Sequence, residues 1–173
     1  QFYKDEALKS RFVDCRIAEQ NMVSVAAGLS AAGKIPCIST FAKFLTRAYD
    51  QIEMAINSGA SIKLIGSHAG ITLGADGPSQ MGMPDVSWFR SFTAALQEAR
   101  PDAEIALLPV SSVLSGLQTG LLEDVPVEAL YSDDAPHGTA TQYFLAALVT
   151  WTALYETPAP PGFDLPADLH PLV

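Results

Sequence analysis

Apolar residues recur at helical spacing from about residue 15 to 32, at Ile17, Met22, Val25, Ala26 and Leu29. That period predicts an amphipathic helix, with Gly33 placed to cap its C-terminus. The short apolar run at 35–39 predicts a buried strand. Thr40 then reads as the N-cap of a second helix running to about Asn57 and ended by Ser58-Gly59. Residues 62–66 (Ile-Lys-Leu-Ile-Gly) predict another buried strand. Helices and strands alternating over short connections imply an α/β fold, three layers (α/β/α) around a mainly parallel sheet.

Between Ser67 and Asp85 the periodicity disappears, broken by Gly70, Gly74, Gly77 and Gly82 with Pro78 and Pro84. A loop this long inside a compact domain is usually functional or disordered. It follows a predicted strand, and so falls at the carboxyl edge of the sheet, where open α/β folds hold ligands. A short helix is predicted at 83–92, with Pro84 near its first turn, and a strand at 104–109. Further alternation follows as a helix near 112–122, a strand near 125–130 and a helix near 141–154. The Pro-rich end from residue 157 predicts an unstructured tail. No internal repeat is present.

The length of 173 residues suits about one domain with a substantial core. Apolar residues at 49% and charged residues at 17% exclude a disordered chain. A net charge of −9, with no dense run of Lys and Arg, argues against a nucleic-acid partner. No apolar run reaches the ~20 residues of a membrane span, and the N-terminus has no signal-peptide pattern. A chain opening on Gln1 without Met reads as one whose beginning is missing. Cys15 and Cys37 show neither metal-ligand spacing nor a redox motif, so reduced thiols in a cytoplasmic setting are expected.

Chemistry concentrates at two helix heads. Glu19 stands at the start of the first predicted helix, and Phe41 and Phe44, three residues apart, at the start of the second. A carboxylic acid beside an aromatic wall can hold and polarise a flat nitrogen heterocycle. On position alone each has an ordinary explanation: a first-turn glutamate steadying the helix dipole, and two phenylalanines packing a core. Arg47, one turn on, serves equally well as a solvated helix residue. His68 after the second strand reads as a satisfied loop histidine, and Asp76 as a turn residue stiffening a glycine loop.

The surrounding motifs change that balance. Ile17-Ala-Glu19-Gln-Asn-Met22, Ser39-Thr-Phe41, Arg47-Ala-Tyr-Asp-Gln51, Gly66-Ser-His68-Ala-Gly70 and Gly74-Ala-Asp76-Gly-Pro-Ser-Gln80-Met81 occur in this order. Together they resemble the pyrimidine-binding domain of transketolase, a thiamine-diphosphate enzyme, over about residues 2–109. The resemblance implies that Glu19 hydrogen-bonds N1′ of the aminopyrimidine and favours the imino form of its 4′-amino group. The cofactor then carries the hard chemistry while the protein tunes it. Phe41 and Phe44 are implied to pack the ring, with Arg47 beside them. His68, Asp76 and Gln80 are implied to contact the sugar-phosphate substrate, His68 close to the reacting carbons. Deoxyxylulose-phosphate synthases share much of the pattern but usually have Arg where this chain has His68; they stand as the alternative.

The same resemblance implies what lies elsewhere. No Gly-Asp-Gly…Asn metal motif occurs, so Mg²⁺ and the diphosphate are expected on another domain, reached through a homodimer or a separate diphosphate-binding subunit. An isolated, inactive fragment is the third possibility. After Pro109 the resemblance stops, and no Lys or Arg follows Arg100. Residues 110–156 are therefore expected to be a divergent or frame-altered continuation of the 1–109 domain, and 157–173 a tail. A shifted reading frame is one account of it, which the coding DNA decides; the phosphate-gripping Arg of the family has no assignable counterpart.

Overall fold

The computed structural model describes residues 5–70, 76–133, 137–162 and 165–173. It divides into two units, residues 1–71 with 78–105 and residues 72–77 with 106–173.

The first unit is built on two parallel strands, β1 (Cys37–Phe41) and β2 (Lys63–Ser67), in the register Ile38↔Leu64 through Phe41↔Ser67. A brief helical turn, α1 (Glu6–Lys9), precedes them, its first turn capped by Asp5, whose side chain accepts from the Ala7 N–H at 2.8 Å. Helix α2 (Glu19–Ala31) starts later than the apolar period predicts. Arg16 takes a left-handed φ of 59°, which an α-helix cannot continue through, and Ile17 is left 88% exposed. Gly33 closes α2 as expected. At φ 73° its N–H donates to Ser30 O, and the Lys34 N–H reaches back to Leu29 O at 3.0 Å.

The segment after β1 also departs from expectation. Thr40 is a strand residue, because its backbone and that of Phe41 lie in the ladder opposite Gly66 and Ser67. Helix follows in pieces: α3 (Ala42–Leu45), a 3₁₀ turn (Thr46–Ala48) and α4 (Tyr49–Asn57). The α3 backbone crosses β2 closely. A Cβ on Gly66 would stand 3.1 Å from both Cα and Cβ of Ala42, close enough that α3 would have to give by a few tenths of an ångström. Helix α5 (Asp85–Ala99) runs beyond the expected 83–92 because Leu96, a turn past Phe92, is buried with it. Val23, Ala26, Ile38, Leu45, Ile52, Phe92 and Leu96 make one core from α2, β1, α3, α4 and α5.

No strand forms at 104–109. The Ile105 N–H, which a ladder would use, donates instead to Gln97 Oε1 at 3.1 Å, while Gln97 Nε2 donates to Ala103 O. Pro109 has no N–H to offer.

The second unit is helical: α6 (Val110–Gln118), α7 (Val127–Leu130) and α8 (Ala140–Tyr155). The strand expected near 125–130 is instead a loop entering the single turn α7. Pro126 precedes it with φ fixed at −65°, and Val125 and Leu130 both point into a small core with Leu114 and Leu145. The α8 helix matches its expected span, opened by Thr139, whose hydroxyl accepts from the Gln142 N–H. The tail from 157 has neither helix nor strand among its described residues. Among the described residues no helix is long and apolar enough to cross a membrane. The class is α/β, with a parallel sheet that has two strands among the described residues.

Candidate functional site

Neighbouring elements of the first unit bring Glu19, Phe41, Phe44, Arg47 and His68 together. Helix α2 contributes Glu19 at its first position, only 5% exposed although it carries a carboxyl. The positive end of the helix dipole favours a negative group there. The end of β1 and the start of α3 contribute Phe41 and Phe44, whose rings stack with centroids 5.7 Å apart and planes 19° from parallel. Phe41 is extended and occupies the N-cap position of α3, so the pair straddles a strand–helix junction rather than one helical face.

Arg47, in the 3₁₀ turn, binds both groups. Its Nη1 donates to Glu19 Oε2 at 3.3 Å, and its guanidinium carbon lies 4.4 Å from the Phe44 ring centre. Half of the Arg47 side chain is exposed, so the pair sits at the mouth of the core with one partner wet and the other dry.

The parallel register sets Ser67 opposite Phe41, and His68 is the next residue along. His68 has a left-handed φ of 51°, uncommon for a residue with a Cβ. Its ring centre lies 4.7 Å from that of Phe41, and its Nδ1 shares a 3.1 Å hydrogen bond with Ser67 Oγ. Glu19, Phe41, Phe44 and Ser67 line one open cleft of about 420 Å³, together with Arg16 and Ile17. That volume falls in the ~300–1,000 Å³ range usual for small-molecule sites.

Gln80 lies in the same unit, half-buried, and its Oε1 accepts a hydrogen bond from the Ser79 hydroxyl. Asp76 is exposed in a turn and belongs to the second unit. The centre of the glycine loop, residues 71–75, lies outside the described residues.

Two residues of this region escaped the sequence reading. Lys43 Nζ donates to the carbonyls of Ser79 at 2.6 Å and Pro78 at 3.2 Å, pinning the 78–79 turn to α3. Asp85, 2% exposed, accepts from the Gly70 and Val86 N–H groups. Among the described residues no group of three or more His, Cys, Asp and Glu side chains is placed to hold a metal ion.

Comparison with known proteins places the segment that carries these residues in a family. Residues 1–106 match the family described as transketolase, pyrimidine binding domain. Over 82 residues, 47% of the chain, it is 55% identical to transketolase of Homo sapiens and 56% identical to transketolase-like protein 2 of Mus musculus. It is 55% identical over the same length to transketolase-like protein 1 of Bos taurus. The matched part amounts to only 13% of the first two relatives and 14% of the third. With more than half of its length inside the family match, and a buried acid, a stacked aromatic pair and a histidine set on the matched segment, this chain belongs to the transketolase pyrimidine-binding domain family.

Proposed function

We propose that the chain supplies the aminopyrimidine half of a thiamine-diphosphate site in a transketolase that moves a two-carbon ketol unit between sugar phosphates. The observation that carries this reading is the buried Glu19 carboxyl in the wall of an open cleft beside the stacked Phe41 and Phe44 rings.

The residues fit the ring half of that cofactor. A flat heterocycle needs an apolar, planar surface and one acid able to share a proton with a ring nitrogen. Phe41 and Phe44 offer the surface. Arg47 engages Oε2 of Glu19, and Oε1 is the oxygen offered to the ring. When bound, thiamine diphosphate supplies the nucleophilic carbon that accepts the ketol unit. The part of Glu19 is to hold a proton at the ring nitrogen; the part of the phenylalanines and Arg47 is to fix the ring against it. His68, held over Phe41, is assigned to substrate hydroxyls, with Gln80 on the adjoining turn. His68 also favours a transketolase over a deoxyxylulose-phosphate synthase. The diphosphate and Mg²⁺ would be held by another domain, in a homodimer or a separate subunit, in the cytoplasm.

The test uses the free aminopyrimidine half of thiamine, titrated into the ¹³C-labelled 173-residue chain. Saturable shifts are expected at the ring protons of Phe41 and Phe44. Glu19→Gln, which keeps the shape but cannot share a proton in the same way, should weaken binding on the order of tenfold. Shifts scattered over the surface, or equal in the variant, would overturn the reading.

A further inference from the structure

We infer that Asp85 is a positioning residue, which holds the turn bearing His68 in its left-handed conformation over Phe41. Its carboxylate is 2% exposed, a depth at which an acidic side chain is rarely found unless its oxygens are bonded. Both oxygens lie within reach of one amide, the Gly70 N–H, at 3.1 and 3.0 Å. Oδ1 also accepts from the Val86 N–H at 2.7 Å, in the first turn of α5.

A helix cap alone would explain the second bond but not the first. Gly70 lies fifteen residues away in sequence, and its carbonyl is engaged as well, accepting from the Gly82 N–H at 2.8 Å. Gly82 completes the clasp: its carbonyl accepts from the Asp85 N–H, and a Cβ on it would collide with Asp85 Oδ2 at 2.2 Å. The clasp is fixed at its far end, because α5 is seated in the core through Phe92 and Leu96.

His68 is what such a clasp acts on. It stands two residues before Gly70, and both have positive φ, 51° and 70°. Glycine takes that conformation freely. A histidine takes it less readily, and its surroundings help to hold it there. One end of the turn is anchored in the ladder, where Phe41 faces Ser67; Asp85 anchors the other. The imidazole between them lies against the Phe41 ring, its centre 4.7 Å away. What His68 is held for rests on the proposed function; that it is held does not.

The test is nuclear magnetic resonance of the labelled full chain, with no cofactor present. In the parent, the His68 ring protons should be shifted upfield by Phe41 and the Gly70 amide protected from exchange. Asp85→Ala should return the His68 ring to free-imidazole positions while the buried Val23 and Ile52 methyls keep theirs. Asp85→Asn, which retains an acceptor but not the charge, should keep the His68 shifts and exchange the Gly70 amide on the order of tenfold faster. Native His68 shifts and unchanged Gly70 exchange in a folded Asp85→Ala chain would overturn the inference. If Asp85→Ala loses the core methyl pattern, Asp85→Asn decides: faster exchange at Gly70 supports the clasp, and unchanged exchange overturns it. A chain that passes this test yet ignores the aminopyrimidine would lose its proposed function and keep the clasp.

Discussion

Glu19 and Arg47 depend on each other unequally. Glu19 is dry and Arg47 half wet, so removing the arginine strands a carboxyl in the core wall, whereas removing the glutamate only returns a guanidinium to water. Losing the partner of a fully buried charge costs about 3–5 kcal/mol, and solvent at Arg47 reduces this. Arg47→Ala is therefore expected to destabilise the chain by roughly 1–2 kcal/mol in urea unfolding. In Glu19→Gln the same arginine change should cost clearly less; equal costs in both backgrounds would mean that the pair is not coupled. The residue types of this site were legible because Glu19, Phe41, Phe44 and His68 sit inside recurring motifs. Lys43 and Asp85 were not. A lysine between two phenylalanines and an aspartate opening a helix are both ordinary locally, and their partners are 35, 36 and 15 residues away.

At the scale of elements, the helix ends marked by glycine were readable and the strand ends were not. Gly33 and Gly59 stop α2 and α4 through positive φ, a property of the residue itself. Whether Thr40 caps a helix or extends a strand depends on Gly66 being opposite it, and whether residue 105 pairs depends on Gln97 taking its amide. Both are decided by partners that local periodicity does not contain. Gly66 gives the sharpest prediction here. Gly66→Ala would force β2 and α3 apart and should destabilise by about 1–3 kcal/mol, the usual cost of overpacking, with loss of amide protection at Thr40 and Phe41. A second prediction concerns the end of α5. Arg100 grips Asp102 with two hydrogen bonds, at 2.9 and 2.7 Å, and donates to Ile56 O at the end of α4. Chiefly through the Arg100 bonds, the Asp102 carboxyl falls from its ordinary 3.8 to about 2. A lowered folded value stabilises above the unfolded one and is lost as pH falls through about 2. Wild type should thus exceed Asp102→Asn in denaturation midpoint at neutral pH. The gap should narrow as pH drops below the ordinary carboxylate range and close below about 2; a constant gap would assign the effect to something other than this ion pair.

At the scale of the whole molecule, the proposed ring site has few cations beside it among the described residues. The matched segment spans 13% of the human relative; among the described residues Arg16 lines the cleft and Arg47 is bonded to Glu19 in its wall. Arg47 is engaged by Glu19 and Phe44, and Arg16 is paired with Asp14 at 3.5 Å. No Lys or Arg follows Arg100. A diphosphate brings strong negative charge, and its affinity in a binding site comes from cations and oriented N–H donors. If this chain contributes ring contacts alone, thiamine and thiamine diphosphate should bind it weakly and with the same affinity, within about threefold, a difference worth roughly 0.6 kcal/mol. Mg²⁺ should not separate the two. Calorimetric titration of each, with and without the cation, measures this directly. A diphosphate preference of tenfold or more would place phosphate ligands on this chain and make it a more complete site than its ring-facing residues imply. Equal affinities abolished by Glu19→Gln would mean that the ring half is recognised independently. A diphosphate-binding partner added in the same titration would then raise the affinity of the phosphorylated form alone.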